Sequence, residues 1–252
     1  EPSGGGAVGA RPVALTAQRP TLGEQPALDL VVTGRDSVRV RAWEYREPVL
    51  DEGALTTPPG GEAPEVTILD PDAEARLVNG RITVVARVPE VDAGTKAVAL
   101  IRFLDTATGE ELLAESREHF WWPGARVYFG NLAGSSEIHQ QFAAYDGERI
   151  YGMGQYQQPY LNLKGTDLEL AHRNSQASVP FALSSLGYGF LWNNPAIGEV
   201  TFGTNKTQWT ACSTEQMDYW VTAGDTPEMR EAWPRVCGWI ALSFWRPSSE
   251  RC

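Results

Sequence analysis

Residues 149–194 read RIYGMGQYQQPYLNLKGTDLELAHRNSQASVPFALSSLGYGFLWNN. Two glycine-bearing turns, YGMGQ at 151–155 and LGYG at 186–189, bracket strand-like runs and one polar loop. Glycine at such places predicts a backbone with positive φ, or the close approach of another segment. Between the turns, AHRNSQ at 171–176 is the most polar and least regular part. The runs before and after it read as strands that support it.

Outward from this block the same pattern repeats. Leu28–Val32 and Val38–Trp43 flank Thr33–Asp36, and the second run alternates apolar with charged residues. That is the period-two signature of a half-buried antiparallel strand. Asn79-Gly80 predicts a type I′ turn leading into a strand over 81–88, because both central positions of that turn need positive φ. Ala97–Leu104 is a further strand, whereas Glu110–Glu115 reads as strand or short helical turn. Short strands with turn signals every ~8–12 residues indicate an all-β sandwich or barrel. Strands do not alternate with long amphipathic helices, which argues against a doubly wound α/β fold.

The expected organisation is a disordered tail over 1–12, a β-sandwich domain over 13–225, and a C-terminal segment over 226–252. Pro58-Pro59-Gly60-Gly61 marks 51–64 as a loop. Thr226-Pro227-Glu228 predicts a short helix to about Cys237, with Pro234 awkward inside it. Trp239–Trp245 then reads as a buried strand.

Composition narrows the functions. The 252 residues hold 21 basic and 32 acidic side chains, 21 − 32 = −11, and so acidic a chain is a poor nucleic-acid partner. No apolar run reaches the ~18 residues of a membrane-crossing helix. Residues 1–9 lack the basic and apolar regions of a signal peptide, which favours the cytoplasm. Cys212, Cys237 and Cys252 are too scattered for a disulfide framework or a metal ligand pair and read as ordinary thiols.

Catalytic patterns are thin. His119, His139 and His172 show no metal-ligand spacing, and no motif implies a cofactor. No Gly-x-Ser-x-Gly elbow or phosphate-binding loop is present, and Gly152-x-Gly154 is only half of a dinucleotide fingerprint. Asp167, Glu169 and Asp218 near the polar loop read as solvated faces or turn caps in an acidic chain. Nine tryptophans leave open an exposed sugar-stacking platform, with Trp121, Trp122, Trp209 and Trp220 as candidates. The other reading of each is core.

Several motifs in order resemble glycoside hydrolase family 31, the α-glucosidase and α-xylosidase family. ERIYGMGQ at 148–155 is similar to its ERFYGLGQ, and VPFALSSLGYG at 179–189 to its IPFLLSSRGYG. LELAHRN at 168–174 looks like VELLQKN of the α-xylosidase-like branch, and DYWVTAGDTP at 218–227 like DYYVIAGDTP. The resemblance covers about 140–230 well and about 36–140 more faintly. It implies a galactose-mutarotase-like β-supersandwich, the family's N-terminal domain, packed beside a (β/α)8 barrel. Both catalytic aspartates of the retaining mechanism would sit on that barrel.

Neither aspartate has a counterpart here, so no catalytic residue is assigned. Ala241–Pro247 resembles a degraded copy of the barrel's opening strand, and the expectation is a truncation or frameshift there. The resemblance places a substrate-contacting loop near 172–176, with Arg173 and Asn174, beside His172, as the sugar-binding residues. Guanidinium and amide groups suit sugar hydroxyls, although asparagine also satisfies loop backbone. The implied partners are an α-glycoside and the barrel. A free-standing carbohydrate-binding module and an aldose-1-epimerase are the alternatives, the latter needing a histidine beside a carboxylate on the concave face.

Overall fold

A computed structural model describes residues 13–14, 27–43, 65–70, 74–88, 99–116, 124–130 and 135–224. The helix expected over 226–237, the strand after it, the 1–12 tail and the 51–64 loop lie outside the described residues. So do His119, Trp121, Trp122, Cys237 and Cys252. Every regular element among the described residues is a strand, and Glu110–Glu115 resolves as one.

Along the chain, β1 (Val13–Ala14), β2 (Ala27–Val32) and β3 (Ser37–Trp43) come first. Next are β4 (Glu65–Asp70), β5 (Glu74–Asn79), β6 (Ile82–Arg87), β7 (Leu100–Asp105) and β8 (Glu111–Ala114). Then follow β9 (Arg126–Gly130), β10 (Ser136–Ala143), β11 (Ile150–Gln155), β12 (Asp167–Leu170) and β13 (Ala177–Ser184). The last are β14 (Tyr188–Trp192), β15 (Gly198–Phe202), β16 (Lys206–Thr214) and β17 (Gln216–Ala223).

Three antiparallel sheets result. The first has seven strands in the order β1-β2-β3-β17-β14-β13-β11, the second five as β12-β15-β16-β10-β9, and the third five as β4-β5-β6-β7-β8. Beyond β8, Glu115 pairs with Phe142 on β10, and Ser116 N donates to Gln141 O at 3.2 Å. The two five-stranded sheets are thereby stitched into one layer facing the seven-stranded sheet.

The alternation predicted for β3 is the reason for this packing. Val38, Val40 and Ala42 enter the core on one face, as period-two patterning requires. Tyr219 of β17 takes Phe103 of the third sheet edge-on at 6.3 Å and Phe142 of the second at 5.5 Å. Phe190 stacks on Trp209 at 4.8 Å between ring centres. One continuous core therefore runs under all three sheets.

Two of the tryptophans proposed for a sugar platform are corrected by this packing. Trp209 lies fully buried against Phe190 and Trp192. Trp220 is also fully buried, with its Nε1 donating to Thr33 O at 3.4 Å. Sheet alternation tells which residues share a face, but not whether that face is covered.

The β5–β6 hairpin also differs from expectation. Asn79 pairs with Ile82, so the two-residue loop is Gly80-Arg81. Gly80 has φ +60°, and the only non-glycine residues at positive φ among those described are Asp36 and Met153. With glycine first and an ordinary φ at Arg81, the turn is of the II′ kind. Asn79 is used elsewhere: its Nδ2 donates to Gly34 O and to Ser37 O, both at 2.8 Å. Asp36 Oδ1 accepts from Arg81 N at 2.7 Å. A Cβ on Gly80 would fall 2.0 Å from that oxygen. Side-chain clamps thus lock the third sheet to the β2–β3 hairpin of the first.

A buried carboxylate joins all three sheets. Both oxygens of Glu115 accept from Arg126 Nη1 at 2.6 Å. Glu115 also accepts from Ile101 N at 2.9 Å, Gln140 Nε2 at 3.1 Å and the Tyr219 hydroxyl at 3.1 Å. Burial pulls the Arg126 guanidinium down most strongly, but Glu115, by its charge and hydrogen bond, together with Tyr219 and Tyr128 outweighs it, and the net shift is upward. Burial, with Glu115 beside it, pushes the Tyr219 hydroxyl well above its ordinary range.

Candidate functional site

The site is built on the glycines at 152 and 154. They lie where the ladder between β11 and β13 is irregular, and the turn expected there is absent. Gly152, Met153 and Gly154 all have positive φ, and the register on β13 slips between Gly152 opposite Ala182 and Gly154 opposite Ser178. Two steps along β11 there oppose four along β13, so the surplus residues of this bulge lie on β13. Met153, between the two glycines, lies fully in the core. A Cβ would lie 2.5 Å from Phe181 O at Gly152 and 2.2 Å from Ala177 O at Gly154. The second glycine signal is a true turn: Ser184 pairs with Tyr188, leaving 185–187 as the loop with Gly187 at φ +90°.

After this irregularity the chain loops over 156–166 and is tied back by several contacts, three of them made by its Asn162, Tyr156 and Gln157 side chains. Asn162 Oδ1 accepts from Ile150 N at 3.0 Å. The Tyr156 hydroxyl donates to Glu169 O at 2.9 Å and lies 2.8 Å from Ser178 Oγ. Burial raises the pKa of that hydroxyl. Gln157 Nε2 donates to Ser175 Oγ at 2.6 Å. The loop's tip presents Tyr160, 59% exposed, and Leu161, 81% exposed.

Ser175 belongs to the polar loop singled out from sequence. Arg173 and Gln176 exchange backbone hydrogen bonds of 3.3 and 3.2 Å, so this loop is a small hairpin turning at Asn174-Ser175. It carries the chain from β12, at the edge of the second sheet, to β13 in the first. The structure brings His172, Arg173 and Asn174 together on this exposed tip. Arg173 Nε donates to Glu169 Oε2 at 2.9 Å, and Nη2 reaches Oε1 of the same carboxylate. That two-point contact aims the guanidinium and raises its pKa through the hydrogen bond and charge of Glu169. The Asn174 side chain makes no hydrogen bond to the loop backbone or to any other described residue.

The acidic candidates separate. Asp167 and Glu169 are exposed on β12, and Glu169 is the anchor of Arg173. Asp218 is neither a solvated face nor a turn cap. It is buried, accepting from Arg39 at 2.9 and 2.6 Å and from Asn193 Nδ2 at 2.8 Å. Sequence reasoning missed Glu148, buried behind β11 with Lys164 Nζ, Ser184 Oγ and the Tyr188 hydroxyl at 2.8, 2.7 and 2.8 Å. Burial and Glu148 push the Tyr188 hydroxyl far upward. The only sequence signal for Glu148 is its place at the head of ERIYGMGQ.

His139 does sit beside a carboxylate, with Nε2 2.6 Å from Glu137 Oε1. The two residues hydrogen-bond each other along one strand and do not face one another across a substrate-sized gap, which acid–base chemistry on a sugar would need. Cys212 is an exposed thiol. No group of three or more metal-ligating side chains comes together among the described residues. No described helix is long and apolar enough to cross a membrane.

Comparison with known proteins places this architecture. Residues 27–200 match the glycosyl hydrolase 31 N-terminal galactose mutarotase-like domain. A protein of Pseudescherichia vulneris named as a family 31 glucosidase is 64% identical over 93 residues, 37% of this chain and 18% of its own length. The α-xylosidase A of Aspergillus niger is 32% identical over 207 residues, 75% of this chain and 27% of that enzyme. Among solved structures, a family 31 α-xylosidase from a soil metagenome, complexed with xylose, superposes with TM-score 0.76 at 37% identity. That match covers 92% of this chain and 34% of the enzyme. The chain thus spans about a third or less of the length of these relatives. By the domain match and the identity to the Aspergillus enzyme together, the chain belongs to glycoside hydrolase family 31, through that family's N-terminal galactose mutarotase-like domain.

Proposed function

We propose that this chain is the non-catalytic N-terminal domain of a retaining α-glycosidase acting on terminal α-linked sugars. It packs beside a (β/α)8 barrel that carries the catalytic aspartates, and lends that barrel the 171–176 hairpin as a substrate-contacting loop. The observation that supports this best is the exposed hairpin tip with Arg173 clamped by Glu169. The clamp leaves Arg173 Nη1 with its N–H groups to offer, and Asn174 with a donor and an acceptor, which suits paired sugar hydroxyls. A guanidinium already held in place loses less rotamer freedom on binding. Tyr160 and Leu161, on a loop tied to the hairpin through Gln157 and Ser175, offer apolar surface for the barrel to cover. The names of the Aspergillus and soil-metagenome relatives favour α-xylosides, whereas the Pseudescherichia relative is named a glucosidase.

The test is hydrolysis of 4-nitrophenyl α-xyloside and α-glucoside by the purified chain, beside the chain joined to a family 31 barrel. Silence from the chain and turnover by the joined form is the expected result. Turnover by the chain itself would overturn the proposal, because it would require catalytic acids among the residues assigned here to structure.

A further inference from the structure

The core-opposed face of the second sheet carries a cavity of about 220 Å3 over β9, β10 and β16. Ala125, Val127 and Phe129 form its apolar side, and His139, Lys206 and Gln208 its polar side. The polar groups are chained. Lys206 Nζ donates to Gln208 Oε1 at 2.8 Å, Gln208 Nε2 lies 3.3 Å from His139 Nδ1, and His139 Nε2 lies 2.6 Å from Glu137 Oε1. The direction of every bond follows from one fact, that an ammonium only donates. The Gln208 oxygen must face Lys206, so its nitrogen faces His139. Nδ1 must then accept, and the proton sits on Nε2, where it donates to Glu137. Phe129 packs edge-on against the same imidazole at 5.0 Å and holds the ring.

Lys206 is half-buried in an acidic chain, yet it meets no carboxylate among the described residues. Two of its N–H groups remain unused, as do one N–H and one lone pair on Gln208. A recess that pairs an apolar wall with fixed, unspent donors and acceptors matches a pyranose, whose C–H face is apolar and whose hydroxyls both give and accept. A neutral sugar fits better than an anion, since the net charge of −11 repels anions and Glu137 closes the chain of hydrogen bonds.

We propose that this cavity is a saccharide site that takes one neutral pyranose residue of a glycan. It is distinct from the 171–176 hairpin. That hairpin leaves the sheet at β12, two strand steps from β16, the nearest strand of the cavity, or about 10 Å at the usual strand spacing.

The experiment follows the backbone amides of the full chain by NMR while methyl α-xyloside or methyl α-glucoside is added. Saturable shifts at 125–129, 139–141 and 206–208 are expected. Binding should weaken about tenfold in Gln208→Ala and in Lys206→Met, the loss of one well-made polar contact. Arg173→Ala should leave these shifts as they were, which separates this site from the hairpin whatever the hairpin's fate. Should Gln208→Ala fail to fold, Lys206→Met carries the test alone, because it alters only the end of a solvent-facing side chain. No saturable shift at these positions would overturn the proposal, as would shifts confined to 171–176 or unchanged in Lys206→Met. Saturation by glucuronate but not by the methyl glycosides would equally overturn it, by making the cavity an anion site.

Discussion

Two arginine–carboxylate pairs in this chain use the same chemistry for opposite ends. Arg126–Glu115 is buried where all three sheets meet, and every oxygen of its carboxylate is claimed. Arg173–Glu169 stands at the solvent-exposed edge of the second sheet, and its guanidinium is only half spent. A buried pair contributes little net stability when intact but is costly to break, because each partner leaves the other charged and desolvated. An exposed pair contributes little either way, since water and salt screen it. Burial therefore makes the first pair a structural keystone, and exposure frees the second to orient a ligand contact.

The largest effect should come from removing one half of the buried pair. Glu115→Gln should cost about 3–5 kcal/mol, because Arg126 stays charged in the core, and urea unfolding measures it. Replacing both partners, as Glu115→Leu with Arg126→Met, should recover part of that loss. Recovery is incomplete because Gln140 and Tyr219 also lose their acceptor. Equal cost for the single and double replacements would break the view that the isolated charge dominates.

Alkaline titration sharpens the same point. The folded-state pKa values of Tyr188 and Tyr219 are raised, by burial first and by Glu148 and Glu115 second. Above the ordinary tyrosine pKa of about 10 the unfolded chain releases these protons while the folded chain keeps them. Stability is thus fully present below about pH 10 and should fall above it by about 1.4 kcal/mol per pH unit for each tyrosine. Unfolding at stepped alkaline pH would show this slope, to which Tyr145 and Tyr156 also contribute, and Tyr188→Phe should remove one tyrosine's share of it. A slope unchanged in that variant would mean that Tyr188 is not held neutral by the fold.

A smaller loss is expected at the clamp between sheets. Asn79→Ala removes two neutral hydrogen bonds to Gly34 and Ser37, each contributing about 0.5–1.5 kcal/mol. It should lower stability by about 1–3 kcal/mol without touching the 171–176 hairpin, and thermal unfolding checks it. A loss as large as that of Glu115→Gln would mean that the keystone is no more important than a surface clamp.

How much of this was legible in sequence follows from range. The glycine turn at 187 is a local signal that took the expected form. The apolar face of 38–42 faces the core as read, but the charged face expected in water does not lie there: Arg39 is buried against Asp218. GMG at 152–154 is also local. A turn and a bulge differ only in whether a partner strand lies on both sides, and that partner, β13, is met some 25 residues later. Asp218 looked like any acid in an acidic chain, since its partner Arg39 lies 179 positions away. Trp209 and Trp220 stayed open between platform and core for two reasons. Nothing local says that the inner face of β16, where Trp209 sits, is covered, and β17 is buried on nearly its whole length, so alternation around Trp220 marks no outer face. The polar hairpin stood out because four of its residues in a row, 172–175, are exposed. Its anchoring by Glu169 and Gln157 did not, because those contacts cross from strand and loop.

The smallest effect on stability, and the one that decides the comparison, belongs to Arg173. Arg173→Ala should leave thermal unfolding of the chain unchanged, because the guanidinium is solvent-exposed and its carboxylate partner is hydrated without it. In the form joined to a barrel, the same change should raise KM for the α-xyloside about tenfold if Arg173 holds a substrate hydroxyl. Arg173→Lys separates charge from shape: it keeps the charge but cannot make the two-point contact with Glu169. A lysine that restores KM would show that the site needs only a cation. A lysine as poor as alanine would show that the fixed, forked geometry set up by Glu169 is what binds, and Glu169→Gln should then mimic it. If Arg173→Ala instead lowered stability as Glu115→Gln does, with KM unmoved, the exposed pair would be a second keystone and the hairpin would lose its claim on substrate.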